Sequence, residues 1–186
     1  MGEKKIIFIP GWLDSGEIHG YKNSLAIWER PINFQEIIQA DYLIGHSIGA
    51  ALALHYWEKN NNLNIVLFNP LLTKKKLFSR WIKSLIYEGT HLPWRRLRIM
   101  GHIFSGIFKL NILLRIDELA IIKKIPPEKI LIIFGENDRY LGNEGEQILH
   151  KAGRATVKID GVGHNWHERV DMVIAEYINH PTQTTN

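Results

Sequence analysis

Apolar residues in this chain come mostly in short continuous runs bounded by turn-forming residues. Ile6-Ile7-Phe8-Ile9, Tyr42-Leu43-Ile44, Ile65-Val66-Leu67-Phe68, Ile130-Leu131-Ile132-Ile133-Phe134 and Thr156-Val157-Lys158-Ile159 read as five strands. Most are apolar throughout rather than alternating, as expected where both faces of a parallel sheet are covered. Helical patterns lie between them over residues 48–59, 143–152 and 167–179, the last with Val170, Val173, Ile174 and Tyr177 at helical spacing. Strand and helix in alternation predict an α/β fold built on a doubly wound, mainly parallel sheet. From Ile9 to Tyr42 there are only about thirty residues, too few for a full helix, strand, helix and return. A strand near Ile32-Asn33-Phe34 is therefore expected to be shortened or missing.

The stretch between the third and fourth runs has a different texture. Leu77, Phe78, Trp81, Ile82, Leu85 and Ile86 form an apolar stripe, with Lys74, Lys75, Lys76, Arg80 and Lys83 interspersed and Thr73 placed as an N-cap. A second apolar run, Ile99 to Leu114, is interrupted by Gly101, His102, Gly106, Lys109 and Asn111, and is too short and too polar to read as a membrane span. Two helices inserted between sheet strands predict a helical lid over 70–125 on a single domain, 1–186. Pro126-Pro127 marks the return to the sheet.

Charge sharpens that division. Of the 23 Lys and Arg, 12 fall in 70–125, against only 3 of the 19 Asp and Glu, so this segment carries a balance of +9 and the remainder −5 within a net charge of +4. A mildly acidic body with a basic insert argues against a nucleic-acid-binding surface, and no recognition motif is present. The basic positions read as the solvated face of an amphipathic lid, with a specific anion site as the alternative. The chain has no cysteine, which excludes disulfides and thiolate sites, so a metal would have to rest on histidine and carboxylate. The apolar run after the N-terminal lysines stops at Pro10, too short for a signal-peptide core, and Ile6 stands where a myristoylation signal requires Ser or Thr. A cytoplasmic protein is expected.

Candidate chemistry centres on Gly45-His46-Ser47-Ile48-Gly49, set between the second strand and the helical run Ala50 to Trp57. A serine on a sharp strand-to-helix turn projects its hydroxyl, and small residues two before and two after allow the backbone to crowd that closely. Such a pentapeptide also occurs as an ordinary connection; a base and an acid in the right order and the right kind of loop set a catalytic one apart. The fourth strand runs into Gly135-Glu136-Asn137-Asp138 and the fifth into Asp160-Gly161-Val162-Gly163-His164. Both loops leave strand C-termini, where open α/β sheets bind ligands. The order is Ser47, Asp138, His164, with Glu136 and Asp160 as alternative acids.

These three motifs together resemble the α/β-hydrolase superfamily, over nearly the whole chain, and in size the small members such as the retinoblastoma-binding-protein-9-like serine hydrolases and related bacterial esterases. The resemblance implies a compact α/β-hydrolase fold with Ser47 as nucleophile, His164 as general base and Asp138 orienting the imidazole. Pro10-Gly11-Trp12 resembles the oxyanion loop with proline in place of the usual histidine. The backbone N–H groups of Trp12 and Ile48 would then bind the oxyanion, each donor lowering the barrier by about 3 kcal/mol. Gly11, His46 and His19 are candidate pocket or support residues: His46 beneath the elbow, His19 with Glu17 at the pocket entrance. His167 reads as the start of the final helix. Trp12, Trp94 and Trp166 read as packing residues.

The implied activity is hydrolysis of a small-molecule ester or thioester with an apolar acyl group, with no cofactor and no metal. The competing reading is a non-catalytic protein on the same scaffold that docks on an anionic membrane or acidic partner through 70–125.

Overall fold

The computed structural model describes residues 4–12, 14, 19–25, 27–28, 34–73, 103–138 and 144–180. Five strands, β1 (Ile6–Ile9), β2 (Tyr42–His46), β3 (Asn64–Phe68), β4 (Ile130–Gly135) and β5 (Val157–Ile159), form one sheet in the order β1-β2-β3-β4-β5, and every neighbouring pair is parallel. The helices are α1 (Phe34–Ile38), α2 (Gly49–Lys59), α3 (Ile103–Leu113), α4 (Glu118–Ile122), α5 (Glu144–Lys151) and α6 (Glu168–Asn179).

The continuous apolar runs have a direct structural cause. Side chains alternate between faces along each strand, and both faces are covered. Ile7, Ile9, Leu43, Ile65, Leu67, Ile132 and Phe134 pack with Ile37 of α1, Leu54 of α2, Ile121 and Ile122 of α4 and Leu149 of α5. Their neighbours Phe8, Ile44, Val66, Phe68, Leu131, Ile133 and Ile159 pack on the opposite face with Val170, Ile174, Tyr177 and Ile178 of α6. Each large aliphatic side chain so buried contributes about 1.5–3 kcal/mol.

Near Ile32-Asn33-Phe34, where a strand is expected to be shortened or missing, Phe34 begins α1, and residues 32 and 33 lie outside the described residues. The sheet is extended instead at Ser24, which makes an isolated parallel bridge with Phe8. Phe8 donates to the Asn23 carbonyl at 3.0 Å and Leu25 donates to the Phe8 carbonyl at 2.9 Å. The chain thus leaves β1 for one side, makes this abbreviated pairing, and crosses back to place β2 on the other side. That reversal winds helices onto both faces.

Of the anticipated lid, residues 74–102 lie outside the described residues, including the stripe from Leu77 to Ile86 and Trp94. The second apolar run is represented by α3, where Leu113 is buried and Leu110 packs against the core. Ile107, Phe108 and Ile112 are exposed at 51%, 70% and 52%. Lys109 anchors the helix by donating to the Ile27 carbonyl at 2.6 Å. Among the described residues no helix is long and apolar enough to cross a membrane.

Candidate active site

All five strands run the same way, so their C-terminal ends share one edge, and the candidate residues sit along it. Ser47 follows β2 directly and has φ +53°, a left-handed conformation that costs a residue with a side chain about 1–3 kcal/mol. The Ser47 N–H is held by the Phe68 carbonyl at 2.9 Å, and its own carbonyl accepts from Ala50 at 3.1 Å as α2 begins. The turn is tight enough that side chains are excluded on both sides. A Cβ on Gly45 would lie 2.6 Å from Ala50 Cα, and one on Gly49 would collide with the Ile9 and Pro10 carbonyl oxygens.

Asp138 and His164 arrive from the ends of β4 and β5. The Asn137 N–H donates to the Val162 carbonyl at 2.8 Å, and the Glu136 N–H to the Ile159 carbonyl at 3.0 Å, which ties the two loops together. His164 Nδ1 lies 3.0 Å from Asp138 Oδ2, and His164 Nε2 lies 3.0 Å from Ser47 Oγ. All three residues are buried. With Nδ1–H donating to the Asp138 carboxylate, Nε2 presents its lone pair to the serine hydroxyl, the tautomer a general base requires. Glu136 and Asp160, the alternative acids, are exposed; a Glu136 carboxylate oxygen accepts from the Gly161 N–H at 3.4 Å and the Asp160 carbonyl accepts from Arg169 at 2.9 Å.

Gly11 lies against the elbow, where a Cβ would stand 3.2 Å from His46 Nδ1 and 3.4 Å from Ser47 Cβ. Trp12 follows Gly11 on a loop fixed by Trp28 Nε1 donating to the Gly11 carbonyl at 2.6 Å. Ile48, fully buried, is at the first turn of α2, where amides lack intrahelical acceptors and the helix dipole favours negative charge. His167 caps α6, its Nδ1 accepting from the Arg169 N–H at 3.1 Å. Trp166 packs edge-on against Phe8 and Phe68 and donates to Asp171 at 3.1 Å.

Two buried polar residues are not marked by any pattern in the sequence. Asn69, after β3, has φ +48°, and its Nδ2 donates to the Gly163 and His164 carbonyls at 3.0 and 3.3 Å while its Oδ1 accepts from the Gly135 N–H at 3.0 Å. It thereby ties β3 to both loops; the one local signal is an asparagine between a strand and a proline, a type that tolerates left-handed backbone. Asp14 accepts from His19 Nε2 at 2.7 Å and lies 3.8 Å from His46 Nδ1. Burial opposes its charge, yet the hydrogen bond from His19 favours the carboxylate and holds the carboxyl below the usual range. Burial acts the opposite way on His46, pushing its imidazole down and keeping it neutral. His19 is thus engaged by Asp14. Among the described residues no cluster of histidine and carboxylate could hold a metal ion.

The architecture is shared with solved structures across nearly their whole length. A mutant of the meta-cleavage product hydrolase CumD superposes with a TM-score of 0.63 at 17% identity, covering 96% of this chain and 92% of that one. The chain has the α/β-hydrolase fold. The same α/β-hydrolase architecture aligns with the esterase RhEst1 from Rhodococcus sp. ECU1013 (TM-score 0.57, 11% identity, 97% and 91% covered) and the monoacylglycerol lipase of Paleococcus ferrophilus (0.55, 15%, 95% and 94%). No family model matches the sequence, and no curated protein does.

Asn69→Ala would strand the Gly135 N–H and remove the Asn69 donor from the Gly163 carbonyl, each worth about 1–3 kcal/mol when buried and unpaired. Urea denaturation is expected to show a loss of about 2 kcal/mol or more; a loss under about 0.5 kcal/mol would contradict this structural role.

Proposed function

We propose that the protein is a serine hydrolase that cleaves an ester or thioester with an apolar acyl group. The observation that carries this reading is the hydrogen-bonded chain Asp138–His164–Ser47, buried and ending on a strained elbow. Ser47 Oγ attacks the acyl carbon as His164 Nε2 takes its proton, and the charge developing on the carbonyl oxygen is received by the Ile48 and Trp12 amides. Collapse of the tetrahedral species breaks the bond to the alcohol or thiol, which leaves with the proton from His164. Water then attacks the acyl-enzyme by the same route. Asp138 keeps its charge throughout and stabilises the imidazolium. The apolar acyl preference is supported by the Leu, Ile, Phe and Trp content of 70–125, read as a lid that excludes water.

Hydrolysis of p-nitrophenyl esters of increasing chain length is expected to favour medium or long acyl groups. Ser47→Ala and His164→Ala should each lower kcat by about 10⁴-fold or more, and Asp138→Asn by about 10²–10⁴-fold. Full activity in His164→Ala would overturn the mechanism. A parallel screen with acyl-CoA and aminopeptide substrates sorts the chemistries this constellation serves, and turnover of peptides alone would overturn the acyl-substrate assignment.

A second reading is favoured by α3, whose exposed Ile107, Phe108 and Ile112 lie in the segment that carries a balance of +9. An apolar face within a basic segment suits peripheral contact with an anionic membrane. Co-sedimentation with phosphatidylserine vesicles at low salt is expected to weaken at about 0.5 M salt and in Phe108→Ser. Absence of binding at low salt would remove this reading.

A further inference from the structure

Ser47 and His164 sit on loops after β2 and β5, with two strands of the sheet between them, yet their reacting atoms stand at 3.0 Å. Proton transfer tolerates errors of only about 0.5 Å in such a distance. Something must refer the histidine loop to the serine's own strand. His46 is the residue immediately before Ser47, the last of β2, in register with Phe68. Its Nε2 lies 2.9 Å from the main-chain carbonyl of His164. A carbonyl only accepts, so the proton is on Nε2. The ring has little freedom to turn away: it stacks on Phe68 at 5.3 Å and 23°, meets the edge of Trp166 at 5.8 Å, and is 3% exposed. Asp14, fixed by His19, occupies the Nδ1 side.

We propose that His46 is a positioning residue that registers His164 on Ser47 by donating its Nε2 proton to the His164 carbonyl, an inference that rests on the hydrolase reading. Ser47 and this donor are adjacent in the chain, so any shift of the base relative to the nucleophile must break the bond or move the strand end. Asn69 supplies the second donor to the same carbonyl, at 3.3 Å. The two together saturate the carbonyl's lone pairs from β2 and β3. His46 touches no reacting atom in this scheme; it acts through the loop.

Three substitutions separate positioning from bulk. His46→Leu fills the space without a donor, His46→Asn is too short to reach, and His46→Gln can bring an amide N–H to about the place of Nε2. His46→Leu and His46→Asn are expected to lower kcat for a p-nitrophenyl ester by about 10–100-fold with KM within about threefold, and His46→Gln to recover most of that loss. In parallel, proton NMR of the substrate-free protein should show the low-field His164 Nδ1 proton on Asp138, assigned by its absence in His164→Ala. That signal is expected to be lost or broadened in His46→Leu and His46→Asn and retained in His46→Gln. If His46→Leu does not fold, His46→Asn carries the comparison. Native kcat together with an unchanged low-field signal in the donor-less variants would overturn the proposal, as would equal loss in His46→Gln. If the native protein cleaves no ester, the hydrolase reading falls while the NMR comparison still decides whether His46 places His164.

Discussion

The close contact between the first turn of α2 and the end of β1 constrains everything else in this structure. Gly49 lies so near the Ile9 and Pro10 carbonyl oxygens that no side chain fits, and Gly45 has no room beneath Ala50. Only that crowding lets the chain reverse from strand to helix within Ser47, at the cost of a left-handed backbone. The strain is sustained by the sheet around it: the Ser47 N–H is tied to Phe68, and α2 buries Ala50, Ala51, Leu54 and Trp57. A serine so placed is held out from the sheet edge at the positive end of a helix, and the loops after β1, β4 and β5 can close around it.

Polar groups around the elbow are paired in a way that sorts their charges. Asp138 faces His164, whereas Asp14 faces His19 and, at greater distance, His46. The His46 and His164 rings are 5.4 Å apart, so two imidazolium ions there would repel in a buried setting. Burial disfavours the charged form of His46. Phe8, Phe68 and Trp166 pack edge-to-face beside this arrangement.

Most of the sheet was legible in the sequence because burial on both faces writes a strand as an unbroken apolar run. β1 through β4 carry that mark. The pairing at Ser24 carries none: it is one residue long, flanked by polar Asn23 at the sheet edge, and exists only through backbone hydrogen bonds to Phe8. The candidate site was legible to a similar depth. Ser47, Asp138 and His164 announce themselves by small neighbours, turn chemistry and chain order. Asn69, Asp14 and the bond from His46 do not, because their partners are supplied by folding: Asn69 meets Gly163 across 94 residues and His46 meets the His164 carbonyl across 118. A lone polar residue after a strand looks like any turn until the loops it holds are in place.

Whether Ser47 is an activated nucleophile is tested most directly by a fluorophosphonate probe, with the adduct located by mass spectrometry. One adduct per chain is expected on Ser47 in the folded protein, absent after heat denaturation and absent in His164→Ala. Folded protein that takes up no probe, or carries it on another residue, would contradict the assignment of Ser47.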